Sequence, residues 1–378
     1  MVVSAHTKGM GLVTAPHNTA GLLRSVEHVY GLPYLGDAAD PNNGSLGGVL
    51  VPGRPAGRPA AQLFQGAVVG TGTRGKGEVT GVRGQSLAFN GVYRYPSGST
   101  VEAGENADGQ GIIATPALGA VAVPGTSNLE SVSCTSPSRC YAVGLATANS
   151  DEGVLVTITN GQPTTVKAQP AWYGLYGISC PTATTCEAIG YDTSDIADAV
   201  TTITNGVPTA PAEVTGGGEW LNAISCPTAT DCYAAGLVNY TPSVVPTVNG
   251  TPGTAVTVPG AWYVNGIDCT PAGNCVVVGE NSTQEGIVST LAGGKAGTTR
   301  NVAGTEYLYG VGCTQQAGCV LAGASQAGAT GYSHGVLAQD VNGAVSGLRE
   351  LANTNGLGQV ACGATLGSCT TIGAAINP

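Results

Sequence analysis

All 12 cysteines of the chain fall into six close pairs, and the pairs recur at nearly even intervals. Cys134 goes with Cys140, Cys180 with Cys186, Cys226 with Cys232, Cys269 with Cys275 and Cys313 with Cys319. The sixth pair, Cys362 with Cys369, is one residue wider. Successive first cysteines stand 46, 46, 43, 44 and 49 residues apart. A fixed period in the forties marks a repeat architecture, in which one small unit is copied and each copy buries its neighbour's face.

The rest of the period has its own grammar. An apolar run leads into the first cysteine ("YGISC", "LNAISC", "VNGIDC", "LYGVGC"), and the second opens another run that reaches glycine ("CEAIG", "CYAAG", "CVVVG", "CVLAG"). After a variable polar loop come two more strand-like runs around a turn, as in Val154–Ala168 and Ala199–Val214. Asn160-Gly161, Asn205-Gly206, Asn249-Gly250 and Asn342-Gly343 hold that turn in four repeats. Asn-Gly supplies the two positive φ angles of a type I′ hairpin. Each period is therefore expected to be four antiparallel strands, A to D. Pro170, Pro211 and Pro259 fall at or near the end of strand D, where an outer edge tolerates a missing donor.

Four short strands in about 45 residues match the blade of a β-propeller better than a solenoid coil. The expected fold is all-β: a six-bladed propeller, with seven blades as the alternative, plus a short N-terminal helical segment. The chain ends soon after strand B of the last cysteine repeat, so its remaining strands must come from elsewhere. Gly111–Val123 ("GIIATPALGAVAV") resembles a C–D hairpin without cysteines before it, and is expected to complete that blade. Residues 110–378 would form the propeller, residues 62–109 extra strands or a degenerate seventh blade, and the Gly/Pro-rich residues 46–61 a linker.

Cysteine pairs bind metal or crosslink. Zinc sites favour Cys-x2-4-Cys pairs joined by a second pair or by histidines, whereas the spacing here is Cys-x5-Cys and the chain has four histidines. A disulfide needs only two cysteines facing each other across the A–B hairpin. One disulfide per repeat is expected, hence an oxidising compartment and secretion. The stretches "SCTSPSRCYAVG", "SCPTATTCEAIG" and "SCPTATDCYAAG" resemble cysteine-paired, propeller-like repeats of secreted actinobacterial proteins, over about residues 110–378.

Other partner classes are disfavoured by composition. Net charge is −10, and no Lys/Arg cluster with interleaved aromatics supports nucleic-acid binding. No apolar run is long enough to span a membrane. The glycine-rich Gly70–Gly81 lacks the Gly-Lys-Ser/Thr of a phosphate loop, and no cofactor is implied.

Residues 1–45 stand outside the repeat. Leu22, Leu23, Val26, Val29 and Tyr30 form one apolar stripe, ended by Gly31 and Pro33, which predicts a helix. Val3-Ser4, Lys8-Gly9, Pro16, Asn18, Leu22-Leu23-Arg24, Glu27 and Gly31–Gly36 are similar to the C-terminal end of secreted acid phosphatase/phospholipase C-type phosphoesterases, relatives of alkaline phosphatase. The resemblance implies a remnant of that catalytic domain, and a hydrolase of phosphate esters if the protein extends upstream. Thr19 stands where that family has histidine, and His6, His17 and Asn18 cannot build a two-metal centre.

The candidate ligand-binding residues are aromatic. Trp172, Trp220 and Trp262 lie six to eight residues before a first cysteine, and Tyr173, Tyr263 and Tyr307 share that zone. It is the D-to-A crossover, on a face where stacked rings suit a glycan, cell-wall polymer or protein. The alternative is that the same rings wedge between blades. Asp192, Asp195 and Asp198 are expected in a solvated loop, and His334 on the surface. The expectation is a non-catalytic binding or scaffold module.

Overall fold

The computed structural model describes residues 67–71, 78–80 and 87–375, apart from 107, 148–151, 194–196, 217–219, 315–317, 327–332 and 352–353. The helix and phosphoesterase-like segment expected in residues 1–45 lie outside the described residues. The described chain forms seven antiparallel sheets, each a four-strand meander, with the outer strand broken into two pieces in three of them. In chain order the blades are 1 (87–122), 2 (126–169), 3 (172–213), 4 (221–257), 5 (263–301), 6 (305–351) and 7, which joins 354–375 to 67–80. The innermost strand A of each blade packs on strand A of the next, and strand A of blade 7 returns to that of blade 1. The ring is closed. It is the expected disulfide-stapled, all-β propeller.

Blades 2 to 7 are the six cysteine repeats, each with one disulfide between its strand A and strand B sides. The bridges join Cys134 to Cys140, Cys180 to Cys186, Cys226 to Cys232, Cys269 to Cys275, Cys313 to Cys319 and Cys362 to Cys369. This is the expected pairing, and no cysteine is free. Where both cysteines lie in the ladder they are direct cross-strand partners, as in Cys134↔Cys140, Cys269↔Cys275, Cys313↔Cys319 and Cys362↔Cys369. The second cysteine of every pair (Cys140, Cys186, Cys232, Cys275, Cys319 and Cys369) is buried, so the staple anchors strand B in the blade's core. The sheet without cysteines is blade 1, which realises the alternative count. There Arg94 pairs with Thr100 at the same register, six residues apart like the cysteines.

Closure differs from expectation in its strands. Gly111–Val123 does form a C–D hairpin, but its partner is strand B of its own blade, Thr100–Asn106. The strands that complete blade 7 are Ala67–Thr71 and Glu78–Thr80, with Val69 opposite both Ile372 and Thr80. Of the glycine-rich Gly70–Gly81 stretch, residues 70–71 and 78–80 thus lie in the closing strands, and the others lie outside the described residues.

In a four-strand meander the A–B and C–D turns share one end of the blade, and the B–C loops and D–A crossovers share the other. The disulfides and Asn-Gly turns therefore mark one face of the ring, here the stapled face. The four asparagines adopt φ of 51–52° and their glycines 73–81°, as the type I′ turn demands. The opposite face, the crossover face, carries the aromatic candidates.

In four blades the residue before the first cysteine has a second task. The backbone N–H of Cys180, Cys226 and Cys269 donates to the hydroxyl of Ser133, Ser179 and Ser225 in the preceding blade, at 3.0–3.1 Å. Cys313 N–H donates to Asp268 Oδ2 at 2.7 Å in the same relation. The repeated Ser-Cys thus staples one blade and clasps the next.

Candidate functional site

Every innermost strand carries a β-bulge at one place, four residues before the first cysteine or, in blade 1, before Arg94 at the same register. A bulge leaves its extra residue out of the ladder and re-aims the side chain. Asn90, Asn222 and Asn265 occupy it in blades 1, 4 and 5. Each donates its amide to a backbone carbonyl of the following blade: Leu129, Val264 and Leu308, at 3.0–3.2 Å. The bulge fixes the inner strands to one another and sets the register of the residues above it, towards the crossover face.

Six residues before the first cysteine, blades 4, 5 and 6 carry Trp220, Tyr263 and Tyr307, an aromatic at or near the start of three consecutive innermost strands. Glycine holds the place on either side, at Gly174 and Gly356. All three aromatics are half-buried. Trp220 has φ +63°, and its carbonyl accepts from Leu237 N–H at 3.0 Å. The Tyr307 ring meets Tyr309 edge-on at 5.0 Å. A Cβ on Gly356 would stand 3.2 Å from the Tyr307 hydroxyl, so this ring reaches over the next blade where glycine leaves room.

One residue earlier lie Tyr173, half-buried, and Trp262, which is 58% exposed. Trp262 stands edge-on to Tyr263 at 6.2 Å, and its backbone N–H donates to the Glu280 carbonyl at 2.8 Å. Trp172 lies one residue earlier again and is 1% exposed. It belongs to the apolar core of blades 2 and 3 and packs over Gly153, so for this residue the interblade wedge is what forms. Thr126, Thr305 and Thr354 hold the same place in their blades, donating to the carbonyls of Val123, Val302 and Leu351.

The structure adds residues that the sequence reading missed. Glu280 ends strand B of blade 5 as the cross-strand partner of Tyr263, and Glu306 is the second residue of strand A of blade 6, beside Tyr307. Ser333 donates to Glu306 Oε2 at 2.8 Å. Burial, with the Glu306 charge adding to it, pushes the Glu280 carboxyl up to about 7. Burial chiefly, then Tyr309, Glu306 and Glu280, raises the Tyr307 phenol. Among the described residues no lysine, arginine or histidine forms an ion pair with either carboxylate. The residue after the strand-B glycine is Leu145, Tyr191, Leu237 or Ala324 in other cysteine blades, so an acid at Glu280 is the signal that was available.

Glu102, buried in blade 1, is likewise pushed up to about 7 by desolvation. A carboxyl whose folded pKa exceeds its unfolded value stabilises least once ionised in the fold. Stability from Glu102 and Glu280 is therefore full below the ordinary carboxylate range and declines as pH rises towards about 7. Denaturant midpoints measured from pH 4.5 to 8 are expected to fall over that interval, less steeply in Glu102→Gln.

The aspartates correct another expectation. Asp192 and Asp198 are buried, not solvated. Asp192 accepts from Ala197 N–H at 3.3 Å and Asp198 from Leu221 N–H at 3.1 Å, which ties blade 3 to blade 4. Asp195 lies outside the described residues, and His334 is half-buried. Among the described residues no cluster of His, Cys, Asp and Glu could hold a metal ion.

Comparison with solved structures gives the fold and nothing finer. The chain is similar to the WD40 propeller domain of Doa1, with TM-score 0.54 and 9% identity over 82% of this chain and 96% of that one. It is also similar to the Myceliophteria thermophila Cps50 (Swd1) propeller domain, with TM-score 0.50 and 11% identity over 77% and 99%. The Dos1 propeller matches with TM-score 0.51 and 8% identity over 76% and 77%. The fold is a β-propeller. No protein-family model matches the sequence, and no curated protein does. The six disulfides call for an oxidising environment, and among the described residues no helix is long and apolar enough to cross a membrane.

Proposed function

We propose that the chain is a secreted, non-catalytic binding module that recognises an extracellular partner through the crossover face of blades 4 to 6. The observation that carries this reading is Trp262, a large ring left 58% exposed beside half-buried Tyr263 on a propeller whose other rings are mostly covered. Exposed aromatics with a polar surround are what interfaces use as anchors. Secretion is supported by the six disulfides, with no cysteine left free. The phosphoesterase resemblance of residues 1–45 rests on sequence alone.

Of the two partner classes expected, a polypeptide fits better than a sugar polymer. Sugar stacking asks for several open rings in a row, and Trp172 is buried while Trp220 is half-covered. What remains is two open rings, Trp262 bordered by tyrosines and carboxylates and Tyr240 in the B–C turn of blade 4, and no row of them.

Paired substitutions on glycan and peptide arrays test the module. Trp262→Ala is expected to lose at least about tenfold in binding with stability nearly unchanged, because a hot-spot ring contributes roughly 2 kcal/mol. Trp172→Ala is expected to cost about 3–5 kcal/mol of stability instead, as deletion of a fully buried ring does. Array binding that survives in Trp262→Ala would contradict the assignment.

A further inference from the structure

The boundary of blades 5 and 6 carries more than aromatic surface. Two carboxylates, Glu280 and Glu306, stand there with no counter-charge among the described residues. Glu306 has one hydrogen bond, from Ser333, and the Glu280 carboxylate has none among the described residues. Their neighbours are aromatic: Tyr263 directly across the ladder from Glu280, Tyr307 next in chain to Glu306, and Trp262 open to solvent. Negative charge held half-buried beside aromatic residues is unfavourable until a cation arrives. An organic cation satisfies both, since its charge meets the carboxylates and its alkyl stem or planar head lies on the rings.

We propose that the blade 5–blade 6 boundary of the crossover face holds a lysine or arginine side chain of a polypeptide partner. Glu280 and Glu306 meet its charge, and Trp262, Tyr263 and Tyr307 meet its stem. Charge complementarity argues for this occupant: the chain carries a net charge of −10, and a basic segment would be steered towards it. The inference rests on the binding-module reading and sharpens it. It also fixes a proton linkage, because a bound cation favours the ionised form of Glu280, whose pKa stands at about 7 in the free protein. Binding therefore releases protons near neutrality and tightens as pH rises from 5.5 to 8.

The test titrates a capped tetralysine peptide and its fully acetylated counterpart into the whole chain, followed by calorimetry. Wild type is expected to bind the charged peptide in a salt-sensitive manner and the acetylated one at least about tenfold more weakly. Glu280→Gln with Glu306→Gln is expected to lose about tenfold and to flatten the pH dependence, while Glu350→Gln, exposed on the outer strand of blade 6, keeps wild-type binding. Thermal unfolding of each variant confirms that the fold is kept. Equal binding of the two peptides, or a double variant that binds like wild type, would overturn the cation site. Failure here with array binding that still depends on Trp262 would leave the module standing, so the two ideas fail separately.

Discussion

Full reduction of the six disulfides is expected to leave the propeller unfolded or barely stable at ambient temperature. Each bridge closes a loop of only seven or eight residues. In the chain-entropy model each such loop contributes on the order of 2 kcal/mol. Taken over six bridges, that rivals the whole stability of an ordinary domain, about 5–15 kcal/mol. Few charged side chains help: they make up 10% of the sequence, and among the described residues the one ion pair is Arg300–Asp340 at 3.2 Å. Denaturation with and without thiol reductant checks this, and a double variant, Cys180→Ser with Cys186→Ser, should lose about a sixth of the difference. An unchanged midpoint under reductant would mean that the interblade clasps suffice on their own.

Val69→Pro is expected to open the ring. Residue 69 lies in the middle of strand C of blade 7, paired on one side with Ile372 and on the other with Thr80. Proline there removes a ladder donor and cannot sit comfortably between two neighbours. The direct cost is about 2–3 kcal/mol, from the lost bond and the acceptor it leaves unpaired. The consequence is larger than the bond, because this strand is what joins the N-terminal side of the ring to Thr370–Ala374. Hydrogen exchange at those amides is expected to accelerate roughly a hundredfold, matching about 3 kcal/mol of lost local stability. Unchanged protection there would show that other contacts close the ring.

Much of this was legible because cysteine is a loud letter. Spacing placed every staple, and Asn-Gly placed four turns, since each reports a backbone geometry that few other residues meet. Blade 1 was harder because Arg94 and Thr100 occupy the cysteine register and so silence the cue, although "FNGVYR" and "VEAG" repeat the surrounding pattern. The serine before the first cysteine in three repeats was visible, but its bond crosses to another blade, a distance of 46 or so residues that local reasoning does not span. The aromatics show the limit most clearly. Trp172 stands eight residues before its cysteine and Trp262 seven. Along a strand that one-residue difference turns a side chain to the opposite side, so one ring is buried between blades and the other faces water. Only a register counted through the bulge separates them.

The three tryptophans make the central claim directly measurable, because their indole N–H groups report separate places on one chain. With 15N-labelled protein, addition of the charged tetralysine peptide is predicted to move the Trp262 indole signal most, Trp220 less and buried Trp172 hardly at all. Shifts absent from Trp262, or largest at Trp172, would contradict a binding surface on the crossover face of blades 4 to 6.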